Sequence, residues 1–302
     1  MDRDWPKYNE ELVKRGTFFL DLSVVENWKA ELKEMNAKKR GGQYKFPNSY
    51  MDFLCMFKPW MDYRTIEGLA RQLTALGLVP AYPDYTTIWY RLHDKIPEIS
   101  IDEVSEVEIA SDGTGIKTSN AGEYRFDKYG KKGRKMKKYI VVVVTVDVKR
   151  KKILGVDAHI EGEGLSESEI AEEHMRKIKS KGIRITKFYG DGRYDTNSMF
   201  RCLDELGIKE CAIKIRKNAS TSGCRGSKRR RKEVREFKSK DYTTWSKSKG
   251  YGMRWPATEG TFSAVKRKFG ENTRSRKPES LRAEAIQKFW VYSVLRSHGL
   301  KK

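Results

Sequence analysis

The sequence predicts an α/β chain, with a mixed-sheet core preceded by an all-α, helix-turn-helix-like N-terminal region. Three observations carry this. Up to about residue 102, apolar residues recur at helical spacing. From about residue 105, short β-branched runs alternate with helical ones. Tyr139–Asp147 (YIVVVVTVD) is an almost unbroken apolar run, as a strand covered on both faces must be. A length of 302 residues suits one large domain or two ordinary ones. The texture change divides it into 1–102 and 103–302.

The elements follow in order. A helix is expected near Val24–Lys38, with a break at Gly41-Gly42. Residues 49–60 have helical periodicity and end at Pro59. Ile66, Leu69, Leu73 and Leu76 fall on one helix face, which Gly77 terminates. Asp84 and Thr86 are candidate N-caps of a following helix with Ile88, Trp89 and Leu92. This pair reads as helix-turn-helix-like, with Thr86, Thr87 and Arg91 placed for DNA. Its turn is longer than the tight form, and an ordinary helical hairpin has the same pattern. Beyond it, Val107–Ala110 reads as a short strand, and Ile153–Ile160 pairs back on Tyr139–Asp147 across the polar turn 149–152. Ser166–Lys179 is a helix with a capping box of Ser166 and Glu169. Ile183–Tyr189 is a strand, Asp195–Leu206 a helix closed by Gly207, and Glu210–Ile215 a strand. Residues 217–249 show no period and read as a long basic insertion or loop. Pro256–Phe269, with Pro at its first position, and Leu281–His298 are helices.

Charge narrows the function. Lys and Arg number 63 against 41 Asp and Glu, a formal net charge of +22. Such an excess points to a polyanionic partner, because cations displace the counterions condensed on nucleic acid. Two runs concentrate it: 128–138 (KYGKKGRKMKK) and 225–240, the latter with Arg229, Arg230 and Arg231. Neither is an amphipathic helix with a wide apolar face, so a membrane surface is disfavoured. No stretch approaches the roughly 20 apolar residues of a membrane span, and the first residues hold no apolar signal segment. Four Cys without a CxxC pair, and only four His, argue against a zinc finger or a disulfide framework. Reduced thiols and a cytoplasmic location, at the nucleoid, are the expectation.

Three carboxylates then stand out. Asp112 directly follows the first expected strand, Asp191 directly follows the fourth, and Glu259 lies in the first turn of the helix after the basic stretch. With an antiparallel first hairpin, strand one lies beside strand four, and both Asp emerge together. Taken singly, an Asp before Gly is a turn former and a first-turn Glu is favoured by the helix dipole. Taken together, three oxygen donors suit two hard divalent ions such as Mg²⁺, about 3.5–4 Å apart, for in-line phosphoryl displacement. Asp147 and Asp157 are competing carboxylates, better explained at a strand end or turn. Glu259 and Lys266 share an orientation on their helix, about 10 Å apart. Tyr251, Arg254 and Lys266 are candidates for the DNA backbone, with Arg suited to phosphate by its bidentate fork.

These residues resemble the DDE transposases of prokaryotic insertion sequences, most closely the group with a Tyr-x2-Arg-x3-Glu-x6-Lys signature. The matching pieces span nearly the whole chain. They are residues 3–9 (RDWPKYN), Phe57 with Tyr63-Arg64 and Glu67-Gly68, Asp84-Tyr85-Thr86-Thr87, Ser111–Gly115, Gly190-Asp191-Gly192-x-Tyr194-Asp195 and Tyr251-x2-Arg254-x4-Glu259-x6-Lys266. The resemblance implies an RNase H-like core over 103–302 and a DNA-end-binding domain over 1–102. It implies two Mg²⁺ or Mn²⁺ ions on a catalytic triad of Asp112, Asp191 and Glu259, and cleavage and strand transfer at terminal inverted repeats. It also implies double-stranded DNA, both transposon ends and target, as partner, and a homodimer that brings two ends together. One departure is that four residues, not three, separate Arg254 from Glu259. A structure-selective nuclease on the same core and a non-catalytic DNA-binding derivative are the other readings.

Overall fold

The computed structural model describes residues 4–101, 104–118, 139–220 and 226–300. The basic run 128–138, Arg3 and Cys224 lie outside them. The chain divides into two units, Met1–Glu98 with Ser275–Lys302, and Ile99–Arg274.

The first unit is helical: α1 (Trp5–Lys14), α2 (Trp28–Asn36), α3 (Asn48–Cys55), α4 (Tyr63–Ala75) and α5 (Tyr85–Leu92), with the C-terminal α11 (Pro278–Leu300). Side-chain caps start several of them. Asp62 accepts the Thr65 N–H at 2.9 Å and Asp84 the Thr87 N–H at 2.6 Å, which satisfies donors the first turn leaves orphaned. Phe18, Tyr50, Phe53, Leu54, Ile66, Ile88, Leu92 and Phe289 fill its core. Two expectations change here. Leu76 lies past the end of α4 and is exposed, and Ala70 takes the buried place instead. The sequence division assigned the closing helix to the second half, whereas α11 groups with the N-terminal helices. Its Gln287 amide donates to the carbonyls of Leu92 (3.0 Å) and Lys95 (2.8 Å).

The second unit is built on a five-stranded sheet: β1 (Glu106–Lys117), β2 (Tyr139–Asp147), β3 (Ile153–Ile160), β4 (Arg184–Gly190) and β5 (Glu210–Ile213), in the order β3-β2-β1-β4-β5. β2 is antiparallel to β1 and β3, and β4 is parallel to β1 and β5. This is the RNase H-like arrangement. Helices α6 (Glu167–Ser180) and α7 (Asn197–Glu205) supply Ala171, Met175, Ile178, Met199, Phe200 and Leu203 to a core with Ile109, Ile185 and Phe188. The Ser166 and Glu169 capping box is present. Helix α10 (Arg254–Phe269) packs on β1 and β2 through Phe262, Val265 and Phe269.

Four local readings are corrected. The first strand does not stop at Ala110 but runs through Asp112 to Lys117, because β2 pairs it along that whole stretch, whereas β4 pairs it only as far as Ala110. Residues 217–249 are not a loop throughout, since they contain α8 (Lys228–Ser239) and α9 (Tyr242–Lys249). Pro256 is the third residue of α10, where its missing N–H is one the first turn leaves unpaired anyway. Asp157 sits inside β3, opposite Val143. Asp147 does close the turn, accepting the N–H groups of Lys149 (2.8 Å) and Arg150 (2.9 Å).

A buried polar chain crosses this core. Ser111 and Thr145 share a hydrogen bond of 2.8 Å, and Thr145 another of 2.9 Å with His174 Nδ1. Burial holds the His174 pKa down at about 4. The unfolded chain therefore binds a proton the folded chain rejects, and stability falls as pH drops below 6.5 towards 4. Urea unfolding at pH 7 and pH 5 should differ by about 2 kcal/mol from this residue. His174→Asn should flatten that difference, and an unchanged pH slope in the variant would refute it.

Candidate active site

Asp112 is set in the middle of β1, opposite Val144 of β2. Its Asp-Gly-Thr-Gly surroundings favour turns locally, so pairing with β2 must hold it extended. The side chain is largely buried. Oδ1 accepts the Gly113 N–H at 3.0 Å, and Oδ2 accepts from Arg254 Nη1 at 2.9 Å and Thr258 Oγ1 at 3.4 Å. Burial pushes its carboxyl pKa up, the Arg254 charge opposes this, and the charges of Asp191 and Glu259 push further up.

Asp191 is the first residue past β4. Its Oδ1 accepts the Arg193 N–H at 2.8 Å and caps the short turn Gly192–Tyr194. Ala110 pairs with Tyr189 in the parallel ladder, so Asp112 and Asp191 both lie two residues beyond one matched pair. Side chains alternate faces along strands, so the two carboxylates leave the same face of adjacent strands. Arg216 steadies the segment after Asp191, with Nε on the Gly192 carbonyl (2.6 Å) and Nη2 on the Arg193 carbonyl (3.0 Å).

Helix α10 completes the group. Arg254 and Thr258 face Asp112, while Glu259 lies on the exposed side, close enough for its charge to act on Asp112. The additional residue between Arg254 and Glu259 sets them about 140° apart around the helix. Arg254 was expected on DNA phosphate; here its guanidinium is on the Asp112 carboxylate, over the rings of Tyr251 (4.9 Å) and Trp255 (5.3 Å). Tyr251 is buried against Trp245 (5.2 Å) rather than presented outward. Lys266 is half-buried farther along α10.

Other expected DNA contacts are placed elsewhere. In the helical unit, Thr86 Oγ1 donates to Asp84 (2.7 Å), Thr87 is held by the same cap, and Arg91 donates to Asn48 (2.6 Å). In α8, Arg229 and Arg230 turn inward instead of standing as open cations. Arg229 pairs with Asp204 (3.0 Å) and bonds the Ile208 and Lys209 carbonyls. Arg230 grips Asp195 through Nε (2.6 Å) and Nη2 (3.0 Å). Arg231 reaches back to the Gly226 carbonyl at 3.5 Å.

Three neighbours escaped the sequence reading: Thr258, Arg193 and Glu167. Glu167 was hidden by its place in the first turn of a capped helix, where an acid is ordinary. A cleft of about 550 Å³ opens beside Asp191, lined among others by Lys214, Arg216, Tyr242, Arg254 and Trp255. Cations interleaved with aromatic rings are the chemistry that holds phosphates and stacks bases.

A family model described as a transposase DDE domain matches residues 105–294, and a second with that description matches residues 13–121. The chain belongs to the transposase DDE family. No curated protein matches this family member at significance. Among solved structures, it is similar to a piggyBac transposase synaptic complex with hairpin DNA (13% identity, 97% of this chain and 76% of that one, TM-score 0.37). It is also similar to the Drosophila P element transposase strand transfer complex (15%, TM-score 0.28), covering 63% of this DDE chain and spanning 42% of that one. A third is the Mos1 strand transfer complex (10%, 87% and 81%, TM-score 0.23). At these scores the structural likenesses add nothing to the family assignment.

DDE transposases use divalent metal ions, so the donors of this DDE chain can be tested against one. All are oxygens, and Asp191 and Glu259 act on Asp112 as like charges. Among the described residues no three His, Cys, Asp or Glu are close enough to hold one ion. Mg²⁺ needs no such cluster, because one or two carboxylates with waters and substrate phosphates suffice. An all-oxygen donor set of this kind suits hard divalent ions. No described helix is long and apolar enough to cross a membrane.

Proposed function

We propose that this chain is an insertion-sequence transposase that cleaves DNA at terminal inverted repeats and joins the ends to target DNA. The observation that supports it best is that Asp112 and Asp191 leave the same face of adjacent strands, with Glu259 near enough to act on Asp112 as a like charge, in a chain of this family. These three residues would hold two Mg²⁺ or Mn²⁺ ions. Bound there, the ions would supply Lewis acidity and a nucleophilic oxygen at neutral pH. The chain's own residues do the rest. Arg254 neutralises charge at Asp112, and its fork can pass to a phosphate. Lys214, Arg216, Tyr242 and Trp255 line a path for a strand to Asp191. Thr86, Thr87, Arg91, Tyr251 and Lys266 remain proposed DNA contacts, with the helical unit (1–98 and 275–302) as the end-binding domain and the sheet unit (99–274) as the catalytic one. Two ends require a homodimer, and the DNA substrate places it at the nucleoid.

The test is strand cleavage of labelled DNA carrying the inverted repeats that flank the gene. Nicks at the repeat boundary should form with Mg²⁺, vanish with EDTA and be absent from Asp112→Asn. Tight binding without cleavage in Mg²⁺ or Mn²⁺ would mean a non-catalytic derivative. Cleavage indifferent to the repeats would mean a general nuclease.

A further inference from the structure

A fourth carboxylate, Glu167, stands near the candidate ligands but on the other side of the sheet. Asp112 points towards α10. Gly113, the next residue, presents the opposite face, where a Cβ would lie 2.5 Å from Glu167 Oε2. Glu167 starts α6, and its Oε1 forms an ion pair with Arg193. Arg193 is two residues from Asp191 and donates its backbone N–H to that carboxylate. Its guanidinium, two-thirds exposed, is nonetheless tied down to the α6 side.

That arrangement is costly. The Glu167 side chain is 11% exposed. Its Oε2 is buried with no hydrogen-bond partner among the described residues. Beside it the fully buried Tyr194 hydroxyl also has none. A solubilising surface pair would not be sunk in this way. Burial pushes the Glu167 pKa up, while Arg193 opposes and Asp191 and Asp112 add to the rise. Glu167 therefore sits near enough to Asp191 and Asp112 for their like charges to act on it, a place where a further carboxylate is unfavourable without Arg193.

We propose that Glu167 is a positioning residue that holds the Arg193 guanidinium away from Asp191 and Asp112. Left unpaired, a flexible cation this close to Asp191 would swing onto its carboxylate and compete with a divalent ion for the same oxygens. Glu167 gives it a partner behind the sheet, so the Arg193 side chain does not compete for the Asp191 carboxylate. This rests on the reading of Asp112 and Asp191 as metal ligands.

Mn²⁺ binding to the full chain, followed by titration calorimetry, tests it. Glu167→Gln should weaken Mn²⁺ at least fivefold, and adding Arg193→Gln should restore the affinity to within twofold of Arg193→Gln alone. Arg193→Gln alone removes the cation itself and should bind Mn²⁺ as tightly as the parent or more tightly. Where the heat is too small, the Mn²⁺ concentration giving half-maximal nicking reads the same shifts. Parental affinity in Glu167→Gln, a loss that persists in the double variant, or a weakened Arg193→Gln would each overturn the proposal. Should Glu167→Gln fail to fold, the Arg193→Gln result decides. Asp191→Asn separates the two readings. Unimpaired Mn²⁺ binding there refutes the ligand assignment itself, whereas its loss, with Glu167→Gln unaffected, refutes only the role of Glu167.

Discussion

Asp191→Asn should bind DNA as tightly as the parent, or more tightly, and cleave it on the order of 10³-fold more slowly. Asn keeps an oxygen that can accept the Arg193 N–H, so the turn Gly192–Tyr194 should survive. What is lost is one negative charge among three. Its removal takes a ligand from the proposed ions and at the same time lowers the repulsion of a phosphate in the cleft beside it. A gel assay of nicking and fluorescence anisotropy of a labelled repeat measure the two effects separately. Cleavage within tenfold of the parent would remove Asp191 from the proposed site.

Asp195→Ala should lower the free energy of unfolding by about 3–5 kcal/mol. The Asp195 side chain is fully buried, takes two hydrogen bonds from Arg230, and accepts the Arg216 N–H at 3.0 Å. Truncation leaves a mostly buried guanidinium and a backbone donor without an acceptor, which costs more than the pair contributes. The double variant Asp195→Ala, Arg230→Met should accordingly lose less than the sum of the single changes. Urea denaturation checks both, and a single-variant loss below about 1 kcal/mol would show the pair to be dispensable. Arg216 and Arg230 together hold the loop after Asp191, so the damage should reach the site.

Legibility in the sequence followed the range of the forces involved. The Ser166 capping box and the Gly207 stop are set by contacts a few residues apart and could be read directly. The succession of strands and helices along the chain followed from which runs were β-branched and which were of helical period. Asp112 was placed at a strand end because Ser111–Gly115 carries turn-forming residues, and only pairing with β2 overrides that preference. Helix α8 was illegible for a related reason. It buries only Val234, and its stability comes from partners far along the chain, Asp204 and Asp195, and from Lys249, which pairs with Glu233 and Glu236. Composition identified Arg229 and Arg230 as cations but could not show that acids within the protein would claim them. The pairing of Arg254 was illegible in the same sense, since its partner Asp112 lies 142 residues away.

The parallel ladder that matches Ala110 with Tyr189 behaves as a reading frame for chemistry. Side chains alternate with a period of two, so a one-residue insertion or deletion between Ala110 and Asp112 would turn the carboxylate from the α10 face to the α6 face. The sheet would still form and the helices would still pack, yet the three proposed ligands would no longer share a side. Substitutions here act by degrees, whereas a shift of frame is all-or-none.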